Sequence, residues 1–284
     1  MEQRARHRCG LWTISNSSEM KNNEKIKYAS KYILRNTLFN GDTAIILGSG
    51  LGGFSKTLTE TTKLAYKEIP YFTKSKVKGH NGNLFVGKLF NKQILIASGR
   101  AHFYEGYSKE EVVFTVQVMN ACGIKNLIIT NSSGSLDKKN PPGTIMTVTG
   151  HLDCTFQDNS NLPLLNEDIK YHSKSLINLC KSVSLKSKVK IVSGNYCWVL
   201  GPLYETPEEI KFFQQLNGTA VGMSTLPEIR EAGELGLRVL TLALLTNYAA
   251  GITDKKLSHK EVLTIADRSK TKFSKFLLGI LKRV

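Results

Sequence analysis

Two stretches of this chain carry residue types suited to holding an oxyanion. In Ile45-Ile46-Leu47-Gly48-Ser49-Gly50-Leu51-Gly52-Gly53, an apolar run ends in four glycines with one serine among them. Glycine admits φ > 0 and close approach of a ligand to the main chain. Successive N–H groups in such a turn form a concavity that attracts anions, which gives a phosphate cradle; the competing reading is a tight strand-to-helix turn with no ligand. In Gly99-Arg100-Ala101-His102-Phe103-Tyr104-Glu105-Gly106, arginine and histidine stand two residues apart at the exit of a predicted strand. A guanidinium fork grips a phosphate bidentately and the histidine adds a donor, although taken alone such a pair also suits an open surface.

The surrounding patterns predict the elements that must carry these groups. Apolar spacing predicts a helix over 24–35, and strands follow at 45–47, 64–69, 84–90 and 92–98, the last two joined as a hairpin at Asn91-Lys92. A helix is predicted over 109–122. A buried strand over 126–130 ends in the small-residue turn Asn131-Ser132-Ser133-Gly134-Ser135. Then come a strand over 144–149, a polar loop over 153–167, a helix over 169–183 and a strand over 189–199. Thr206-Pro207-Glu208-Glu209 is a strong helix start, with an N-cap threonine, a first-turn proline and a glutamate at the third helical position. A short strand over 220–223, a helix over 226–235, a strand over 237–245 apolar enough to be buried on both faces, and a helix from Ser258 to about Leu281 complete the chain. Ligands of such folds gather at the carboxyl ends of the strands. That singles out Ser49, Arg100, His102, Asn131, Ser132, Tyr204, Glu205, Ser224 and Asn247.

Composition narrows the classes. The chain has 284 residues, 41% hydrophobic and 22% charged, a balance that fills a sizeable core. No apolar run approaches the ~18–20 residues of a membrane span, so a soluble protein is expected. Net charge is +16, but residues 1–40 carry +5 of it and residues 268–284 carry +6. The excess therefore sits at the two ends, and no aromatic-basic interleaving accompanies it, which argues against nucleic acid. Five widely spaced cysteines without a C-x-x-C pair argue against a disulfide framework and a zinc site. They fit a reducing, cytoplasmic setting. Residues 1–23 read as a flexible basic N-terminal extension without the apolar stretch of a secretory signal, and 24–284 as one α/β domain.

The ordered set of motifs resembles the trimeric-type purine nucleoside phosphorylases. The segments are Gly48–Gly53, Gly79-His80-Asn81-Gly82, Gly99–Gly106, Thr130–Gly134, Gly201-Pro202-Leu203-Tyr204-Glu205-Thr206, Val221-Gly222-Met223-Ser224-Thr225-Leu226-Pro227-Glu228, Thr246–Gly251 and Leu257-Ser258-His259. The resemblance implies a three-layer α/β/α single domain with a mixed sheet, as in purine and uridine phosphorylases, usually assembled as a homotrimer. The implied reaction is reversible phosphorolysis of a purine nucleoside, with inorganic phosphate as co-substrate and no metal or organic cofactor. By carry-over, Ser49, Arg100, His102, the Ser132 amide and Ser224 bind phosphate, and His80 lies on a closing loop. Tyr204 stacks on the base, Glu205 accepts from N1–H, and Asn247 contacts N7 and O6. Tyr104, Met223 and His259 meet the ribose. His102, Glu205 and Asn247 are the residues expected to carry the chemistry.

Asparagine at 247, where the methylthioadenosine phosphorylases have aspartate, favours 6-oxopurines: an amide donates to a carbonyl, whereas a carboxylate accepts from an amino group. The added hydroxyls of Ser132 and Ser133, where the family has alanines, leave xanthosine as an alternative. The loop after His151 departs from the family, and Phe156 is the nearby candidate for an aromatic lent to a neighbouring subunit's site. A rival class is an NAD-dependent oxidoreductase, from Gly48-x-Gly50-x-x-Gly53 with Glu68 downstream. Against it, the hairpin at Asn91 interrupts the strand–helix–strand alternation that a dinucleotide unit needs.

Overall fold

The computed structural model describes residues 13–73, 82–157, 162–254 and 257–284, with backbone alone for 13–21 and His259. Among the described residues, nine strands form one mixed sheet of order β2-β3-β4-β1-β5-β8-β7-β6-β9. The strands are β1 Thr43–Leu47, β2 Thr59–Ala65, β3 Asn83–Leu89, β4 Lys92–Ser98, β5 Asn126–Ser135, β6 Ile145–Asp153, β7 Ile191–Trp198, β8 Ala220–Gly222 and β9 Arg238–Tyr248. The helices are α1 Thr13–Thr37, α2 Lys109–Ala121, α3 Lys174–Ser187, α4 Pro207–Gln215, α5 Leu226–Glu234 and α6 His259–Leu281. Because β9 pairs with both β6 and β5, the pairings β5-β8-β7-β6-β9 close into a ring, with β1, β4, β3 and β2 extending from it.

Helices cover both faces, so the expected three-layer α/β/α domain with a mixed sheet stands. One core joins α1, α2 and α5 to the sheet through Ala29, Ile33, Val116, Met119, Ile229 and Ala232. The other joins α3 and α6 through Cys180, Val183, Phe273, Phe276 and Leu277. Described cysteines Cys122, Cys154, Cys180 and Cys197 are buried free thiols, Cys122 in the first core, Cys180 in the second, and Cys154 and Cys197 in a third with Ile210 and Phe213.

Local signals fixed several elements where the sequence places them. Thr206 accepts the Glu209 N–H and Glu209 returns to the Thr206 N–H at 2.7 Å, a reciprocal cap of the kind that contributes about 1 kcal/mol. The β3–β4 hairpin is present, with its two-residue turn at Phe90-Asn91, φ 50° and 63°, one residue before the expected Asn91-Lys92.

Other expectations are corrected. The helix expected over 24–35 is longer and spans Thr13–Thr37. The strand expected over 64–69 lies over Thr59–Ala65. The turn expected at Asn131–Ser135 is a continuation of β5, held by pairing with β9 as far as Ser135↔Tyr248. Lys174, not Ile169, opens α3. After β1 the glycine turn leads into a 3-10 turn at Gly52–Thr57 and then the antiparallel β2, not a crossover helix, and Glu68 folds back onto the Ala65 N–H at 2.9 Å. That is not the βαβ unit of a dinucleotide fold.

Candidate active site

The glycine turn after β1 leans directly on β5. A Cβ at Gly48 would lie 2.7 Å from Asn131 Cα and 2.8 Å from the Thr130 carbonyl, so only glycine permits this approach. The turn is tied down by hydroxyls. Gly48 N–H donates to Thr130 Oγ1 at 3.1 Å, Thr130 Oγ1 donates to the Ile46 carbonyl at 3.1 Å, and Ser132 Oγ donates to the Ser49 carbonyl at 2.9 Å.

Arg100, 4% exposed, follows β4 and lies beside this turn. Its Nη1 donates to Thr225 Oγ1 at 2.7 Å and to Ser224 Oγ at 3.2 Å, and its Nη2 donates to the Thr130 carbonyl at 2.6 Å. Glu228 faces the same Nη1 at 3.2 Å. Thr225 also accepts from Asn131 Nδ2 at 3.1 Å. It does so from backbone at φ 78°, ψ −44°, a strained region for a β-branched residue. Tyr196 fixes the neighbouring residue, donating its hydroxyl to the Ser224 carbonyl at 2.9 Å.

His102 is held by Glu105, whose Oε1 takes the His102 N–H at 3.0 Å and stands 2.8 Å from Nδ1. The ring stacks on Tyr104 with centroids 4.7 Å apart. Burial lowers the His102 pKa, against the hydrogen bond to Glu105, which raises it. Glycine at 201 makes room for the next wall: at φ 77°, a Cβ there would lie 2.5 Å from Met223 Sδ and 3.1 Å from Tyr104 Cδ1.

The far end of β9 carries a bulge. Ser133 pairs with Leu245 but Gly134 pairs with Asn247, so Thr246 is an extra residue. Successive residues of a regular strand face opposite ways, and a bulge re-aims them. Both Thr246 and Asn247 therefore line the cleft. Thr246 Oγ1 donates to Asn247 Oδ1 at 3.2 Å and Asn247 Nδ2 donates to the Tyr248 carbonyl at 2.9 Å, which orients the amide. Glu205, ahead of α4, has its pKa raised, chiefly by burial.

One cleft is lined by Ser49, Arg100, His102, Tyr104, Ser132, Tyr204, Glu205, Met223, Ser224 and Asn247 together. A model of the phosphorylase superfamily matches residues 42–282. Purine nucleoside phosphorylase 1 of Bacillus subtilis is 37% identical over 267 residues, covering 91% of this chain and 98% of that one. This chain belongs to the purine nucleoside phosphorylase family. As a member it is an enzyme, a pentosyltransferase. Two solved family structures are similar throughout. A schistosoma purine nucleoside phosphorylase in complex with hypoxanthine has a TM-score of 0.83 at 27% identity, covering 92% of this chain and 97% of that one. Isoform 2 from Schistosoma mansoni, in complex with cytosine and ribose-1-phosphate, has a TM-score of 0.83 at 30% identity, covering 92% and 96%.

Not every expected site residue joins this group. His80 lies outside the described residues, and so does the side chain of His259, although its backbone opens α6 beside the cleft-lining Val262. Phe156 is on the surface, about half exposed. Conversely, sequence reasoning assigned no role to Thr130, Thr225, Glu228 or Glu105, which position the phosphorylase-type arginine, serine and histidine. All four stand inside the family-like motifs, and a first-turn glutamate such as Glu228 reads as a solvated helix-end charge. Among the described residues no helix is long and apolar enough to cross a membrane.

Proposed function

We propose that this enzyme catalyses the reversible phosphorolysis of 6-oxopurine ribonucleosides and deoxyribonucleosides, inosine and guanosine, to free base and (deoxy)ribose 1-phosphate, in purine salvage. The observation that carries the reading is the shared cleft: groups suited to an oxyanion and groups suited to a purine line the same space. Phosphate bound by the Ser49 turn, Arg100, His102, the Ser132 amide and Ser224 sits under the anomeric carbon and attacks it as the glycosidic bond breaks. Positive charge on the sugar then meets the phosphate, and negative charge on the purine meets Asn247, so positioning and electrostatics supply most of the catalysis. A neutral His102 that donates Nδ1–H to Glu105 presents Nε2 to the P–OH of monohydrogen phosphate. Tyr204 stacks on the base, Glu205 as carboxylate accepts N1–H, and Tyr104 and Met223 support the ribose. His259 at its 5′ end and His80 on a closing loop complete the scheme, with no metal or organic cofactor.

Preference for a 6-oxo group rests on Asn247. With Oδ1 accepting from Thr246 and one Nδ2 hydrogen given to Tyr248, the second Nδ2 hydrogen suits a carbonyl acceptor and not an amino group. The hydroxyls that favoured xanthosine are engaged elsewhere, Ser132 on the Ser49 carbonyl and Ser133 on Asn131 Oδ1 at 2.7 Å. Initial rates on inosine, adenosine and methylthioadenosine at equal concentration test the assignment. Inosine is expected to be fastest; faster cleavage of either aminopurine nucleoside overturns it.

Assembly as a cytoplasmic homotrimer belongs to the same reading. Exposed Phe156, Leu162, Leu164 and Ile169 cluster in one segment and supply apolar surface for a second copy, with Phe156 reaching a neighbour's cleft. Light scattering that gave a monomer mass would remove this part of the reading.

A further inference from the structure

Glu228 has no place in the scheme above, yet its position relative to the phosphate site is specific. It lies in the first turn of α5 with its side chain 2% exposed, and Oε2 stands 3.2 Å from Arg100 Nη1. Among the described residues Oε2 accepts no hydrogen bond; burial raises the Glu228 pKa, and the adjacent Arg100 charge opposes that rise. Tyr66 is the other titratable group beside it, and its hydroxyl is committed to the Gly99 carbonyl at 2.9 Å. A first-turn glutamate gains from the helix dipole while remaining in water. Buried, it needs a cation, because an uncompensated charge in the interior is strongly destabilising. The cation here is the one lining the cleft beside Ser49, His102 and Ser224. His102 repeats the arrangement with Glu105 at 2.8 Å. Each basic side chain offered to the anion therefore has a carboxylate of its own.

We propose that Glu228 is a positioning residue that sets both the place and the effective charge of Arg100. Inorganic phosphate then meets a site rich in aimed donors but low in net positive charge, and exchanges readily from it. This rests on the phosphorolysis reading given above. Two variants separate charge from packing. Glu228→Gln keeps the shape but removes the negative charge, leaving the full charge of Arg100 to the phosphate. Glu228→Asp keeps the charge but withdraws the carboxylate by one methylene, so Arg100 loses its placement.

The experiment is steady-state cleavage of inosine with inorganic phosphate varied, then with inosine varied. Glu228→Gln is expected to lower the KM for phosphate about tenfold, equivalent to about 1.4 kcal/mol, with the KM for inosine within about twofold of the parent. Glu228→Asp is expected to raise the KM for phosphate and leave that for inosine unchanged. A shift of phosphate KM in the same direction in both variants, or an equal shift of inosine KM, overturns the proposal. Should Glu228→Gln fail to fold, Glu228→Asp decides alone: equal changes in the two KM values mean packing only. Parent enzyme that cleaves inosine without phosphate overturns the function and this proposal together. Phosphate-dependent parent enzyme with same-sign variants overturns this proposal alone.

Discussion

The Thr225 hydroxyl takes a hydrogen from Arg100 Nη1 at 2.7 Å, from a backbone conformation at φ 78° that a threonine rarely adopts. That bond spans 125 positions of sequence and joins the turn before α5 to the exit of β4. The strain is offset by three hydroxyl contacts, with Arg100, Asn131 and Ser224. Glycine would relieve it and alanine would not. Thr225→Gly is therefore expected to be more stable than Thr225→Ala by about 1 kcal/mol in urea denaturation, because glycine accepts positive φ without steric cost. Both variants should lose phosphate affinity. Equal stability of the two would mean that the turn relaxes once the hydroxyl is gone.

Ser132 makes a milder prediction. Its hydroxyl ties the Ser49 carbonyl to β5, and a neutral hydrogen bond contributes about 0.5–1.5 kcal/mol. Ser132→Ala is expected to raise the KM for phosphate several-fold and leave the KM for inosine alone, in initial-rate measurements. A change confined to inosine would place the hydroxyl at the base.

Glu205 sets an acid limit. Its pKa is raised, chiefly by burial, so the carboxylate form is lost as pH falls through a value above the usual 4.5. The acid limb of kcat/KM for inosine is expected above that pH, and Glu205→Gln should abolish the limb along with most of the activity. The sign for stability is opposite. A folded state that binds its proton more tightly than the unfolded chain gains stability as pH falls into that window, so Glu205→Gln should be more stable than the parent near neutral pH in thermal melts.

His151 and His172 govern stability away from the cleft. His151 Nδ1 lies 2.9 Å from His172 Nε2, both rings are buried, and burial depresses their pKa values to about 3 and about 4. In the unfolded chain both titrate near 6.5. Between these values the unfolded state binds more protons, so stability is full above about pH 6.5 and falls as pH drops towards 4. Urea midpoints between pH 7 and 4 check this, and His172→Gln should flatten the slope. An unchanged slope would assign acid lability to other groups.

Asn247→Asp exchanges an amide donor for an acceptor at the bulge end of β9. It is expected to lower the inosine rate and raise the adenosine-to-inosine ratio; a constant ratio would remove Asn247 from the base.

The parts legible in the sequence were those fixed locally. The β4 strand, the Thr206 cap and the Ser258 cap need only neighbouring residues, and each lies where expected. The continuation of β5 through Asn131–Ser135 was not legible, because small polar residues signal a turn and the pairing that keeps them extended comes from β9 and, at Gly134 and Ser135, from β8. Closure of the ring by β9 depends on partners about a hundred residues apart. At the site, the residues that line the shared cleft were legible from their motifs. Thr225 and Glu228 were not, since nothing in Ser224-Thr225-Leu226-Pro227-Glu228 says that Arg100 is packed against them.

Phosphate dependence tests the central claim most directly. Purified enzyme is incubated with inosine with and without inorganic phosphate, following hypoxanthine by absorbance and the sugar product by chromatography. The account predicts hypoxanthine release only with phosphate, matched one for one by ribose 1-phosphate. Release at the same rate without phosphate, with free ribose as product, would contradict it.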